Sequence, residues 1–260
     1  MLNPLLNLFS MNDNELVLRV ENLSKSFLIP DNLTNTLRER FVSFLKRNKR
    51  YHQYDAVNNV TFDLRKGDFL GVIGANGSGK STLLKIISGI YAPEKGSVRA
   101  MGHLVPFLEL GVGFNPELTG KENIFLNGII LGMRISEMQK HFDSIVEFSG
   151  LKEFLGLKLK NYSTGMQLRL AFSVAIHVDA EIYVLDEILA VGDWQFQQKC
   201  IAFLNSLKGQ GKSIILVSHD MNSIRNLCDR VILLQDGRLC MYDNPDKVIN
   251  FYTHGGVDIK

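Results

Sequence analysis

An α/β fold built on a mainly parallel sheet is predicted by three observations. Short apolar runs of strand length alternate with stretches of helical periodicity along most of the chain, which implies βαβ units. One such run, Phe69–Ile73, passes through a glycine-rich loop directly into an amphipathic helix. A helical block from about Lys121 to Leu157 interrupts the alternation and is read as an inserted subdomain.

In chain order, Glu15–Glu21 alternates apolar and polar residues and reads as a strand, and Asn22–Phe27 follows as a turn. Pro30 breaks that pattern. From Asp31 to Arg50, leucines and phenylalanines recur at helical spacing opposite a face rich in Arg and Lys. Such a helix lies at a membrane surface or packs on the core with its basic face in water; both readings stand. Strands are expected at Ala56–Leu64, at Phe69–Ile73, near Ser97–Met101 and near Leu104–Leu108. A Gly-rich loop, Gly111–Glu117, then leads into the helical block, where Leu126, Ile129, Ile130, Ile145, Val146 and Phe148 are the candidate apolar face. Beyond it come strand Glu181–Leu185, helix Trp194–Leu207, strand Ser213–Val217 and short helix Met221–Cys228. Strands Val231–Leu234 and Leu239–Tyr242 are joined through Asp236-Gly237, a strong hairpin signal, and a last helix runs from about Asp246 to Tyr252.

The bulk properties exclude several classes. At 260 residues with 45% hydrophobic and 22% charged residues, the chain suits one sizeable core carrying a subdomain. A net charge of +2 makes no global electrostatic case for nucleic acid. Cys200, Cys228 and Cys240 form neither a C-x-x-C pair nor a disulfide framework, which fits free thiols in a reducing compartment. No apolar run reaches the roughly 18–20 residues of a spanning helix. The opening decapeptide holds Pro4, lacks a basic leader and makes a poor signal peptide; Met11 is an alternative start.

The loop Gly74-Ala75-Asn76-Gly77-Ser78-Gly79-Lys80-Ser81, continuing to Thr82, is the P-loop pattern, with a strand before it and a helix after it. Glycines let consecutive backbone N–H groups converge on phosphate oxygens, and the helix N-terminus adds its positive end. Lys80 reaches the β- and γ-phosphates, and Ser81 offers a hydroxyl to Mg²⁺. Downstream, Ile182–Leu185 ends in Asp186 and Glu187. A buried strand emerging at its carboxyl end places Asp186 beside the P-loop, to orient Mg²⁺, while Glu187 polarises a water for attack on the γ-phosphate. His219, at the end of the next strand, is expected on the same edge, contacting the γ-phosphate and holding that water. Ser163 caps the helix Leu168–His177, and Gly165 permits a close backbone approach, so this helix end is a second anion site. Two phosphate-facing helix ends in one chain are explained by a head-to-tail dimer in which each copy closes the other's site.

These residues together resemble the ATP-binding-cassette ATPases. The Walker A segment is Gly74–Thr82, the signature Ser163–Gln167 (which brings in Gln167), Walker B Ile182–Glu187, the D-loop Ala190–Asp193 and the switch histidine His219. The match is collinear from about Leu16 to Tyr252. The signature stretch YSTGMQLRLAFSVA, the segment DEILAVGD, the stretch ELTGKENI and the insertion before Ala56 resemble one branch, the ATP-binding subunits of bacterial polysaccharide exporters. The resemblance implies an ABC-type nucleotide-binding domain over 15–252, with an antiparallel β part, a basic insertion helix at 31–50 and a helical subdomain at 118–178. Residues 1–14 would be an N-terminal extension and 253–260 a short tail, without the carbohydrate-binding domain that some relatives append.

The resemblance further implies ATP and Mg²⁺ as ligands and a homodimer that forms on ATP binding. A polytopic permease, a lipid-linked polysaccharide as cargo and a peripheral position on the cytoplasmic face of the inner membrane follow from it, with no nucleic acid. Two departures stand out. The family's Gln in the loop entering the helical subdomain is missing, since Gln139 is the only Gln between Thr82 and Tyr162; Asn115 is the candidate substitute as a metal contact. The adenine-stacking aromatic is Phe27, or alternatively Tyr54 or Tyr51. A cassette serving a lipid or drug exporter, and a soluble cassette ATPase outside transport, are the competing readings.

Overall fold

The computed structural model of the protein describes residues 15–30, 51–108, 110–186 and 192–255. The insertion helix predicted at 31–50, the N-terminal extension, Glu187, the D-loop start at Ala190 and residues 256–260 of the final tail lie outside the described residues.

The central sheet has six strands in the order β5-β6-β7-β3-β8-β9, comprising Leu104–Phe107, Ile182–Asp186, Ser213–Val217, Phe69–Ile73, Arg230–Gln235 and Arg238–Asp243. Its first five strands run parallel, and β9 closes the edge antiparallel to β8. A second sheet, order β2-β1-β4, is antiparallel throughout and consists of Tyr51–Arg65, Leu16–Pro30 and Lys95–Ala100.

The near-continuous apolar sequence of the parallel strands follows from burial on both faces. Side chains alternate across a strand, so Leu70 and Val72, Val184, Ile215 and Val217 join one core with the antiparallel sheet and the apolar side of helix α1 (Lys80–Ile87). Their neighbours Phe69, Ile73, Tyr183, Leu185, Ile214 and Leu216 face the other core, filled from the helices. That second core receives α2 (Gly120–Ile130), α3 (Ile135–Ser149), α4 (Thr164–Ala175), α5 (Trp194–Gly209), α6 (Met221–Leu227) and α7 (Pro245–Thr253). Phe107, Phe148, Phe172 and Phe196 interlock there, with ring centroids 5.5–6.1 Å apart.

Two expectations are corrected. Asn22–Phe27 is not a turn, because β1 runs unbroken from Leu16 to Pro30. Its polar residues occupy register shifts between Val20 and Ser26, with Asn22 at φ 49°; turn-forming residues here make bulges that kink the strand without ending it. Accordingly β2 begins at Tyr51 rather than Ala56, since Phe27–Pro30 supply a pairing edge for Tyr51–Tyr54. The block from Lys121 to Leu157 is mostly helical as expected, made of two helices and a 3₁₀ turn at Lys152–Phe154, divided where Gly132 takes φ 92° and Glu137 accepts the Arg134 N–H to start α3. The Asp236-Gly237 hairpin is as expected, both residues having positive φ (47° and 73°), the condition of a type I′ turn. Cys200 and Cys228 are buried, burial pushing both thiols up to about 12, and Cys240 is exposed.

Candidate functional site

Parallel strands all deliver their carboxyl ends to one edge of the sheet, and that edge gathers the predicted residues. Val72 and Asp186 each pair with Val217, so β7 lies between β3 and β6 in register with both. The glycine loop follows β3, Asp186 ends β6, and Ser218-His219 follows β7. His219 therefore emerges between the loop and Asp186, exposed, while Asp186 is half-buried. Asp220 accepts the Asn222 and Ser223 N–H groups to cap α6, and the Ser218 hydroxyl accepts the Asp220 N–H at 3.1 Å, which fixes the chain on both sides of His219.

The loop geometry explains its sequence. Gly79 has φ 102°, and a Cβ there would sit 2.1 Å from the Ala56 carbonyl oxygen; at Gly74, with φ 151°, it would sit 2.2 Å from the Leu234 oxygen. The loop is thus clamped between β2 and the end of β8 at a separation that only glycine permits. Gly79→Ala is expected to cost more than about 2 kcal/mol, from left-handed strain plus overpacking; an unchanged denaturation midpoint would contradict the clamp.

Five of the loop's carbonyls, those of Gly74, Ala75, Gly77, Ser78 and Gly79, accept hydrogen bonds within the chain. Lys80 Nζ donates to the Gly74 and Ala75 oxygens at 2.8 and 2.9 Å. Tyr54 Oη donates to the Gly77 oxygen at 2.6 Å, the Gly237 N–H to the Ser78 oxygen at 3.1 Å, and the Leu83 N–H to the Gly79 oxygen at 2.8 Å. Helix α1 begins at Lys80 with no side-chain cap, whereas Thr119, Ser163, Asp193, Asp220 and Asn244 cap the starts of α2 and α4 to α7. The first N–H groups of a helix have no partner within it. With Ala75, Asn76, Gly77 and Ser81 exposed and Thr82 half-buried at the same place, the loop is an anion cradle that fits a polyphosphate. The Ser81 hydroxyl and the Asp186 carboxylate are hard oxygen donors. Mg²⁺ suits one or two such protein oxygens beside phosphates and water, and no cluster of three or more His, Cys, Asp or Glu occurs among the described residues.

Ser163 caps α4 as expected, its hydroxyl accepting the Met166 N–H at 3.2 Å. A Cβ on Gly165 would meet only the Ser163 hydroxyl, at 3.9 Å, among the described residues. Gln167 turns back, its amide donating to the Leu159 and Tyr162 oxygens at 3.3 and 3.4 Å. Phe27 packs its ring against Tyr91 at 5.7 Å and pairs with Tyr54 across the strands, while Tyr54, not Phe27, bonds the phosphate loop. Asn115 Oδ1 accepts the Glu117 N–H at 2.9 Å, while the Asn115 N–H donates to Oδ1 of buried Asn123 and the Asn115 carbonyl accepts from Asn123 Nδ2.

Several linking residues carry no motif and escape sequence reasoning. Glu117 pairs with Lys160 and Lys158 at 3.0 and 3.1 Å, and these lysines hold its carboxyl below the usual range. The Lys160 N–H donates to the Pro116 oxygen and the Leu159 N–H to the Leu118 oxygen, so the Gly-rich loop and the approach to Ser163 form one unit. Arg169 donates twice to the Ser149 oxygen, lies 5.3 Å over the Phe196 ring and reaches Asp193 at 3.5 Å, joining α4 to the start of α5. Only the acidic and basic residue types hinted at these pairs; the partners are far apart in sequence.

Comparison with known proteins agrees with this geometry. The family model described as "ABC transporter" matches residues 57–190. The chain is 45% identical over 199 residues to the ABC transporter protein AbcA of Aeromonas salmonicida, covering 76% of this chain and 65% of that protein. It is 43% identical over 200 residues to the O-antigen export system ATP-binding protein RfbB of Klebsiella pneumoniae, covering 77% and 81%. It is also 39% identical over 196 residues to the teichoic acids export ATP-binding protein TagH of Listeria monocytogenes serotype 4b, covering 75% and 58%. The chain thus spans less than two thirds of the length of AbcA and TagH. Among solved structures, an ATP-binding subunit of an ABC transporter has a TM-score of 0.72 at 21% identity, covering 93% of this chain and 95% of its own. The dimeric ATP-binding cassette MJ0796 bound to ADP and Pi has a TM-score of 0.70 at 23% identity, covering 88% and 98%. At these identities the structures establish the shared fold.

Proposed function

The chain belongs to the ABC transporter family, and on that premise we propose that it is the ATP-binding and ATP-hydrolysing subunit of an exporter of lipid-linked polysaccharide. The cargo is of the O-antigen, capsule or teichoic-acid type, and a separate membrane subunit carries it across the cytoplasmic membrane, with this chain peripheral on the cytoplasmic face. The observation that carries the ATPase half is the phosphate loop, its carbonyls tied back and its N–H groups left at the uncapped start of α1. The polysaccharide half is supported by 43% identity to RfbB and 39% to TagH, which are named for export of such polymers.

ATP is the substrate. The loop N–H groups from Gly74 to Thr82 and the Lys80 ammonium bind its β- and γ-phosphates, and Phe27 or Tyr54 stacks on the base. Phosphoryl transfer needs positioning and charge stabilisation more than covalent chemistry. Glu187 takes the proton of the attacking water and His219 holds that water against the γ-phosphate. The Ser81 hydroxyl and the Asp186 carboxylate, with Asn115 as a further candidate, would hold Mg²⁺, which would supply neutralisation of phosphate charge. The tip of α4, where a Cβ on Gly165 would meet only the Ser163 hydroxyl among the described residues, suits closure on the nucleotide of a second copy.

Ser163→Ala is expected to lower stability by about 1 kcal/mol, the value of a helix cap. It should also abolish ATP-induced dimerisation in size-exclusion chromatography while the single chain still binds ATP. Dimers at wild-type levels would remove Ser163 from the shared site.

The membrane subunit's seat is best supported beside the helical subdomain. A cavity of about 490 Å³ opens between β5, residues 110–112, α2 and α4. Ile90, Val112 and Ile130, exposed by 44–53%, rim it, and Ile129 and Ile135 extend the apolar surface. Among the described residues no helix is long and apolar enough to cross a membrane. Affinity purification from the native host tests the whole reading. A co-purifying polytopic membrane protein that raises ATP turnover, with loss of surface polysaccharide on deletion of the gene, is expected. Recovery of ribosomes or DNA instead would overturn the export assignment.

A further inference from the structure

We propose that Tyr54 is a positioning residue for the phosphate loop. Its phenol holds the Gly77 carbonyl back so that the neighbouring N–H groups stay aimed at phosphate. The proposal deepens the ATP-binding reading and rests on it. The Gly77–Ser78 peptide is pinned at both ends, its oxygen by Tyr54 Oη at 2.6 Å and its N–H by the Ala75 oxygen at 3.1 Å. The next peptide oxygen, on Ser78, is held by the Gly237 N–H at 3.1 Å. Gly77 needs such a tie. It is exposed and at φ 81°, with no Cβ to restrict rotation, and a turn of this peptide would break both bonds and swing the adjoining Gly77 and Gly79 N–H groups off their line. The oxygens of Gly74, Ala75, Ser78 and Gly79 are held by groups of the sheet edge or of the loop's own helix. The Gly77 oxygen is held from outside the sheet core, by the arm that Phe27–Pro30 and Tyr51–Tyr54 form beyond it.

That placement gives the bond a second consequence. Residues 51–55 of β2 are all exposed, and the arm leads directly to the segment 31–50. Tyr54 is therefore a mechanical link through which a change at the arm alters the grip on phosphate. The role is distinct from stacking on a base, since it uses the hydroxyl and not the ring. The two separate cleanly, because Phe keeps the ring and loses only the donor.

The test measures the binding of Mg-ATP, Mg-GTP and Mg-tripolyphosphate by calorimetry to the full chain and to Tyr54→Phe and Tyr54→Ala, with KM and kcat for ATP. Tyr54→Phe is expected to weaken all three ligands by the same factor, roughly three- to tenfold for one neutral hydrogen bond, and to raise KM more than it lowers kcat. Wild-type affinity in Tyr54→Phe overturns the proposal. So does a pattern in which Tyr54→Phe binds normally and Tyr54→Ala loses ATP but keeps tripolyphosphate, which assigns the ring to the base. Failure of the wild-type chain to bind either ATP or tripolyphosphate overturns the nucleotide reading, and this proposal with it.

Discussion

Lys80→Ala is expected to reduce ATP hydrolysis by about 10²–10³, the loss typical of one preorganised donor to a developing charge. Affinity for ATP should fall as well, because a charge-assisted hydrogen bond contributes about 1.5–3 kcal/mol. The structure adds a second route to the same loss. Lys80 is 93% removed from solvent, at 7% exposure, and its ammonium bridges the Gly74 and Ala75 oxygens. Alanine takes away the phosphate's cation and one latch of the loop together. The Ala75 oxygen keeps the Ser78 N–H as a donor, so the latch is weakened rather than removed at that residue. Arginine should rescue poorly, since its planar fork does not reproduce the compact ammonium between two carbonyls. Nucleotide titration and a phosphate-release assay on the two variants check this. Turnover within tenfold of wild type in Lys80→Ala would remove Lys80 from the site.

Glu187→Gln should separate binding from chemistry. A positioned general base contributes about 10²–10⁴ in rate, and glutamine keeps the shape while losing the proton acceptor. The variant is expected to bind ATP as well as the wild-type chain, to accumulate as an ATP-bound dimer on size exclusion, and to turn over at least about a hundredfold more slowly. Asp186, one residue earlier, ends β6 in register with Val217, which places this stretch of chain at the edge where the P-loop and His219 emerge. Near-normal turnover in Glu187→Gln would move the base to another residue. Loss of binding instead would indicate that the carboxylate holds charge rather than a proton.

Much of the architecture was legible because the relevant signals are local. The P-loop spacing, the apolar runs of β3, β6 and β7, the Asp236-Gly237 turn and the Ser163 cap each depend on residues within a few positions of one another. The arm was not legible for the converse reason. Asn22–Phe27 carries turn chemistry, and only a partner strand distant in sequence, Leu23 pairing with Val60 and Phe27 with Tyr54, turns those residues into bulges within a continuous β1. Gln167 shows the same limit: its amide closes on the Leu159 and Tyr162 oxygens, contacts that its place in the signature stretch does not announce.

The sequence by itself determined the candidate chemistry: a glycine loop of the P-loop pattern, strand ends that carry a carboxylate and a histidine, and two helix starts, at Lys80 and after Ser163, proposed to face anions. The tertiary structure alone decided how that chemistry is held. Tyr54 and Gly237 tether the loop's oxygens, Arg169 ties α4 to the start of α5, and Glu117 joins the Gly-rich loop to the approach to Ser163. A motif is set by neighbours along the chain, whereas the partner that orients each peptide arrives through sheet register and helix packing, across distances that local pattern does not encode.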